Sequence, residues 1–221
     1  MTSISQPSVK ERLIDAAFDL FDTRGYDKTT VDDIAEHAGV GRTTFFRNLR
    51  TKEDAIFPDH DAILAAVNGR LATATADTAL IAMVEAARLV LRSYLADGQR
   101  ARQRYALAKN VAALRARETA GIRQYQRLFT EFIGQWLGEG QSLLRAELMA
   151  NAVVTAHNHV LRRWLRAEST SPEREFDDAM REVLTIFADQ PTAEAGILIV
   201  RTAQDLSAML PALRRLLDAG D

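Results

Sequence analysis

Four basic side chains, Arg42, Arg47, Arg50 and Lys52, follow closely on one another, and no acidic residue lies between Gly39 and Lys52. Threonines and an amide stand among them: Thr43, Thr44, Asn48 and Thr51. This set suits a polyanion, because affinity for a nucleic-acid backbone comes largely from neutralising phosphates. An arginine on a helix can also pair bidentately with a guanine edge, and a threonine methyl can touch thymine. Arg42, Thr43 and Arg47 are therefore candidates for base-edge contact. Lys52, in the first turn of a helix capped by Thr51, suits a phosphate.

Such groups need a short helix presented by a tight turn. Thr30 is an N-cap with Asp33 at the capping-box position. Val31, Ile34 and Ala35 form an apolar stripe behind it, and Gly39 ends that helix. A second short amphipathic helix spans roughly Gly41 to Leu49, with Thr44, Phe45 and Leu49 inward and Arg42, Thr43, Phe46 and Arg47 outward. Two short helices joined by a glycine turn, the second basic, are what a helix-turn-helix lays in a DNA major groove. Ahead of it, Val9, Leu13, Ala16, Ala17, Leu20 and Phe21 mark one face of a helix from Val9 to Arg24, with Ser8 as its cap.

From Val9 to Asp54 the chain resembles the DNA-binding domain of the TetR family of bacterial transcriptional repressors. The residues that carry the resemblance are Thr29-Thr30-Val31 with Ile34-Ala35, Ala38-Gly39-Val40, Thr44-Phe45-Phe46 and Thr51-Lys52-Glu53. The chain departs from the family pattern at Phe46 (usually Tyr), Asn48 (commonly His or Tyr) and Leu49 (usually Phe); the first loses a hydroxyl that contacts phosphate. The resemblance implies that Thr30, Thr44, Phe46, Asn48 and Lys52 contact or position the DNA backbone or neighbouring bases. It implies an all-α fold, an N-terminal three-helix head at 1–56 and a helical ligand-binding and dimerisation body at 57–190. Residues 191–221 form a C-terminal extension. It also implies a homodimer, because two heads must meet half-sites about one helical turn apart.

Composition agrees with a helical protein. Of 221 residues 47% are hydrophobic, and Gly (11) and Pro (5) are few, so there is enough chain for a second domain with its own core. The absence of cysteine excludes a disulfide scaffold and a thiol nucleophile. The net charge of −2 argues against bulk adhesion to nucleic acid; the sign is local, with acids (Glu11, Asp15, Asp19, Asp22) on the first helix and bases on the second motif helix. No signal-peptide core or membrane-length apolar run is visible, so a cytoplasmic, membrane-free protein is expected.

The remaining helices are expected at Asp59–Ala74 after a break at Pro58, then Ala76–Ala96, Gln99–Asn110, Ala112–Gly138, Ser142–Ala167 and Pro172–Asp189. Leu144, Leu148, Val153, Val154, Val160, Leu161, Trp164 and Leu165 are expected to be buried. Gly196–Val200 reads as a lone strand. From Gln99 to Arg127 bases outnumber acids, with Tyr105 and Tyr125 interleaved and Tyr94 just upstream. In TetR relatives this region walls the effector pocket. Tyr94, Arg100, Arg104, Tyr105, Arg123, Tyr125 and Arg127 are thus candidate ligand-binding residues for an organic anion, such as an acyl- or aryl-CoA. The plain alternative is a set of solvated, helix-favouring arginines.

No catalytic constellation, cofactor motif or metal-ligand spacing emerges: His157 and His159 are two apart on a helix and diverge. The expected function is a dimeric repressor released from a palindromic operator by a small molecule. The alternatives are a regulator without effector, an activator, or a helical binding protein or enzyme reusing the fold.

Overall fold

The computed structural model describes residues 7–57, 60–136 and 143–187. The expected strand at 196–200, the helical spacing after 203, the loop at 138–140 and Pro58 itself lie outside these residues. Among the described residues all regular structure is helical: α1 Val9–Arg24, α2 Val31–His37, α3 Arg42–Asn48, α4 Lys52–Ile56, α5 His60–Ala72, α6 Ala79–Asp97, α7 Gln99–Asn110, α8 Ala112–Gly134, α9 Leu143–Leu165 and α10 Pro172–Phe187.

Helix starts follow from local capping chemistry. The Ser8 hydroxyl accepts the Glu11 N–H at 3.2 Å, while the Glu11 carboxylate accepts the Ser8 N–H at 2.7 Å. Thr30 and Asp33 make the same reciprocal pair at the start of α2, at 3.2 and 2.8 Å. Each pair satisfies backbone donors that a helix end leaves unpaired. Gly39, at φ +67°, turns the chain out of α2 in the left-handed region that disfavours a side chain. The helix expected from Ala76 begins instead with a 3-10 turn, Ala76–Thr78, before α6.

Two apolar clusters hold the fold. The first joins Leu13, Phe18 and Phe21 of α1 to Ile34 of α2, Phe45 of α3 and Ile56 of α4, and it also takes in Ala108 of α7 and Leu114 of α8. Phe18, outside the face expected for α1, is buried here, so that face is broader than the spacing of the other apolar residues indicated. The second cluster, in the body, packs Met83 and Leu91 of α6 with Phe129 and Ile133 of α8, Val153 and Trp164 of α9, and Phe176 and Met180 of α10. Here α9 is the central element, packed by α6, α8 and α10.

The expectation for Leu144 and Leu148 is corrected: they are 60% and 54% exposed. Ala146, Met149, Ala150, Val153 and Val154 turn toward the core, and Leu144 and Leu148 lie on the outward stripe shared with Asn151 and Thr155. Leu143 and Ile186 are also exposed. Helix α9 is therefore apolar over a wider arc than its own chain covers.

Candidate nucleic-acid interface and ligand cavity

Packing of the head determines which side of α3 faces out. Phe45 and Leu49 are buried and Thr44 is half-buried, which leaves Arg42, Thr43, Phe46, Arg47 and Asn48 exposed. The Arg42 guanidinium pairs with Asp32 of α2 and lies 5.3 Å from the centre of the Phe46 ring. Asn48 donates to the Thr44 carbonyl at 2.8 Å. The Thr30 hydroxyl donates to the Asp33 carboxylate at 2.6 Å, in addition to its capping bond. That hydroxyl bond, with the one the same carboxylate accepts from the Thr30 backbone N–H, holds the Asp33 carboxyl below the usual carboxylate range.

Lys52 makes its contacts within the head. Its ammonium donates to the carbonyls of Tyr26 at 2.9 Å and Thr29 at 3.2 Å, and it lies 3.9 Å from the Tyr26 ring centre. The charge that suited a phosphate ties α4 to the α1–α2 loop. Beside it the Tyr26 hydroxyl donates to Glu53. Burial and that carboxylate push the tyrosine pKa upward.

A cavity of about 620 Å³ opens in the body and reaches the head. Val90, Phe129, Val154, Leu161 and Leu165 supply apolar wall, with Tyr94, Tyr105 and Tyr125 among them. Asn48, Leu49, Arg50, Asp54 and Phe57 line it where α3 passes into α4. The basic lining residues are Lys10, Arg50, Arg104, Arg117, Arg127 and Arg162, against the acids Asp54, Asp61 and Glu118. The lining is therefore net cationic.

Of the candidate ligand residues, Tyr94, Arg104, Tyr105, Tyr125 and Arg127 line this cavity; Arg100 and Arg123 do not. Arg100 is drawn to the Asp15 carboxylate of α1, and Arg123 is exposed on α8. Burial raises the pKa of Tyr94 and of Tyr125, so both present neutral hydroxyls. The Tyr105 hydroxyl accepts from Arg166 at 3.0 Å. Arg104 is only 5% exposed; it donates to the Ile56 carbonyl and to Asp97, while its Nη1 has no hydrogen-bond partner.

His157 escaped the sequence reading as a cavity residue. It is buried at 6% exposure, with Nδ1 3.3 Å from the Asn158 side-chain oxygen and Nε2 unpartnered. Burial lowers its pKa to about 4, against a weaker upward pull from Asn158, so the ring is neutral at pH 7. Its spacing of four from Val153 and from Leu161 already placed it on the buried stripe of α9.

Arg117 is a second such residue. From α8 its Nη2 donates to the Asp54 carboxylate at 2.5 Å, and its guanidinium lies 5.3 Å from the Phe57 ring centre. The same carboxylate accepts the backbone N–H groups of Arg50 and Thr51, both at 3.0 Å. Burial pushes the Asp54 carboxyl up, but the bonds from Arg117, Arg50 and Thr51, with the guanidinium charge, outweigh it and hold the pKa below the usual range. Three arginines of the body thus grip three points of the head: Arg100 on Asp15, Arg104 on the Ile56 carbonyl, and Arg117 on Asp54.

The head, from Leu13 to Ala55, matches a family model described as bacterial regulatory proteins, tetR family (residues 13–55). Residues 77–190, more than half of the chain, match a model described as the MftR C-terminal domain. The chain belongs to the TetR family. It is accordingly a DNA-binding transcriptional regulator of the helix-turn-helix type. It is 25% identical over 158 residues to a Mycobacterium tuberculosis protein that bears the name mycofactocin biosynthesis transcriptional regulator MftR; the match covers 71% of this chain and 80% of that protein. Among solved structures, a TetR-family regulator from Syntrophomonas wolfei superposes with a TM-score of 0.62 at 14% identity, over 84% of this chain and 97% of the other. The TetR-family repressor FadR of Thermus thermophilus, solved with lauroyl-CoA, superposes with a TM-score of 0.50 at 21% identity, over 88% and 97%. At these identities the structural likeness is one of fold.

Proposed function

We propose that this regulator is a cytoplasmic repressor that binds a palindromic operator as a homodimer and leaves it when a small organic anion fills the body. The observation that carries this reading is the shared wall of the cavity: Tyr94 and Tyr125 of the body, Asn48 at the end of the DNA-reading helix α3 and Leu49 just after it border one space. A ligand there touches the element that reads DNA, and it acts through its different affinity for the bound and free arrangements. The volume falls within the range of about 300–1,000 Å³ usual for small-molecule sites.

The class of ligand follows from the lining. Aromatic and aliphatic walls suit an apolar body, and the excess of guanidinium groups suits a carboxylate, phosphate or CoA thioester at the polar end. The head (1–56), the ligand-binding and dimerisation body (57–190) and the extension (191–221) divide these tasks. The exposed Leu143, Leu144, Leu148 and Ile186 support pairing of α9 and α10 with a second copy, since contiguous apolar surface marks an interface.

The test is selection of bound duplexes from a random pool by the wild type and by Arg47→Ala. A palindrome recovered by the wild type, with affinity reduced roughly 5- to 150-fold in the variant, is the expected result for loss of a base-edge arginine. Failure of the folded wild type to select any sequence removes the operator reading. Release of the selected duplex by an anionic amphiphile such as lauroyl-CoA, and not by dodecanol, checks the ligand class.

A further inference from the structure

Arg117 links the body to the turn that follows α3. Asp54 occupies the third position of α4 and reaches back to the N–H groups of Arg50 and Thr51, the two residues that follow the buried end of α3. Its Oδ2 makes both backbone bonds, while its other oxygen, Oδ1, is gripped at 2.5 Å by a guanidinium borne on α8. One carboxylate therefore fastens the α3–α4 turn on one side and the body on the other. Charge-assisted bonds of this kind are short and directional, so they fix geometry as well as adding energy. Phe57, at the end of α4, lies against the same guanidinium, which gives Arg117 a second hold 5.3 Å from the ring centre.

We propose that Arg117 is a positioning residue for DNA reading: through Asp54 it sets the α3–α4 turn and with it the angle at which α3 is presented. Arg117 acts on DNA through another residue. The side chain also borders the ligand cavity, so the contact that steadies the reading helix is itself accessible to an anionic group bound there. This inference rests on the operator reading.

The experiment compares wild type, Arg117→Gln and Arg117→Lys on the selected palindrome and on a scrambled duplex, across a salt series. Arg117→Gln is expected to weaken palindrome binding roughly 2- to 30-fold, the size of effect a residue on a coupling route exerts. Scrambled-duplex affinity and the salt slope stay at wild-type values, and Arg117→Lys recovers part of the loss. Wild-type palindrome binding by Arg117→Gln overturns the proposal. Equal loss on both duplexes with a shallower salt slope also overturns it, because Arg117 is then itself a phosphate contact. Amide hydrogen exchange at Arg50 and Thr51 reads the same contact without DNA and is expected to quicken in Arg117→Gln; unchanged exchange there likewise overturns the proposal. A wild type that selects no palindrome while Arg117→Gln exchanges faster condemns the operator reading and leaves the clamp on the head standing.

Discussion

Lys52 shows how a side chain of the motif is already engaged within the head. Its place after Thr51 fits a phosphate contact, yet its ammonium bonds two carbonyls of the α1–α2 loop and lies against Tyr26. Removing a charged donor from such carbonyls costs about 1.5–3 kcal/mol. Lys52→Met is therefore expected to lower stability by about that amount in chemical denaturation. The salt slope of operator binding should keep its wild-type value. A slope reduced by about one, at unchanged stability, would return Lys52 to the phosphate backbone. Arg42 carries a related constraint. Its guanidinium must leave Asp32 before it reaches a base edge, so Arg47 and Thr43 are the more directly offered side chains.

At the scale of the element, α9 combines a buried stripe, a cavity wall and an apolar outer face, and His157 belongs to the first two. An imidazole with a folded pKa of about 4 against an ordinary 6.5 makes stability depend on pH. Below 6.5 the unfolded ring takes up a proton that the folded ring refuses. The unfolded state then binds more protons, and stability falls as pH falls. The contribution is whole above pH 6.5 and is lost by about pH 4, and its size is up to about 3 kcal/mol. His157→Leu is expected to flatten the stability profile between those limits; a variant with the full wild-type slope would assign the dependence to carboxylates. Helix boundaries such as those of α1 and α2 were legible in the sequence because caps are local: Ser8 with Glu11 and Thr30 with Asp33 are three residues apart. The fates of Arg100 and Arg117 were not legible. Their partners lie 85 and 63 residues away, and helical periodicity carries no information about which distant carboxylate folds against which face. Leu144 and Leu148 failed for a similar reason, since spacing reports an apolar stripe without naming what covers it.

For the whole molecule, that uncovered stripe bears on assembly. Leu148 and Ile186 are 54% and 68% exposed, and the proposed pairing of two copies would cover them. A charge placed in the middle of a paired face is left desolvated and unpaired. Leu148→Glu is therefore expected to yield a folded monomer in sedimentation and to bind the palindrome at least about tenfold more weakly, since one head meets only one half-site. A Leu148→Glu protein that sediments as a dimer would move the interface elsewhere.

The first apolar cluster crosses the line that motif reading draws after residue 56. Ala108 and Leu114 belong to the same buried cluster as Phe45 and Ile56, and the three arginine contacts reach over from α7 and α8. Regulators of this architecture invite engineering by exchange, in which one protein's reading domain is joined to another's sensor. In this chain a cut at the motif boundary would leave the transplanted domain with an open apolar seam and carboxylates facing foreign partners. A working hybrid must carry matched residues at 100, 104, 108, 114 and 117. An exchange at this seam therefore has to carry both sides of these contacts.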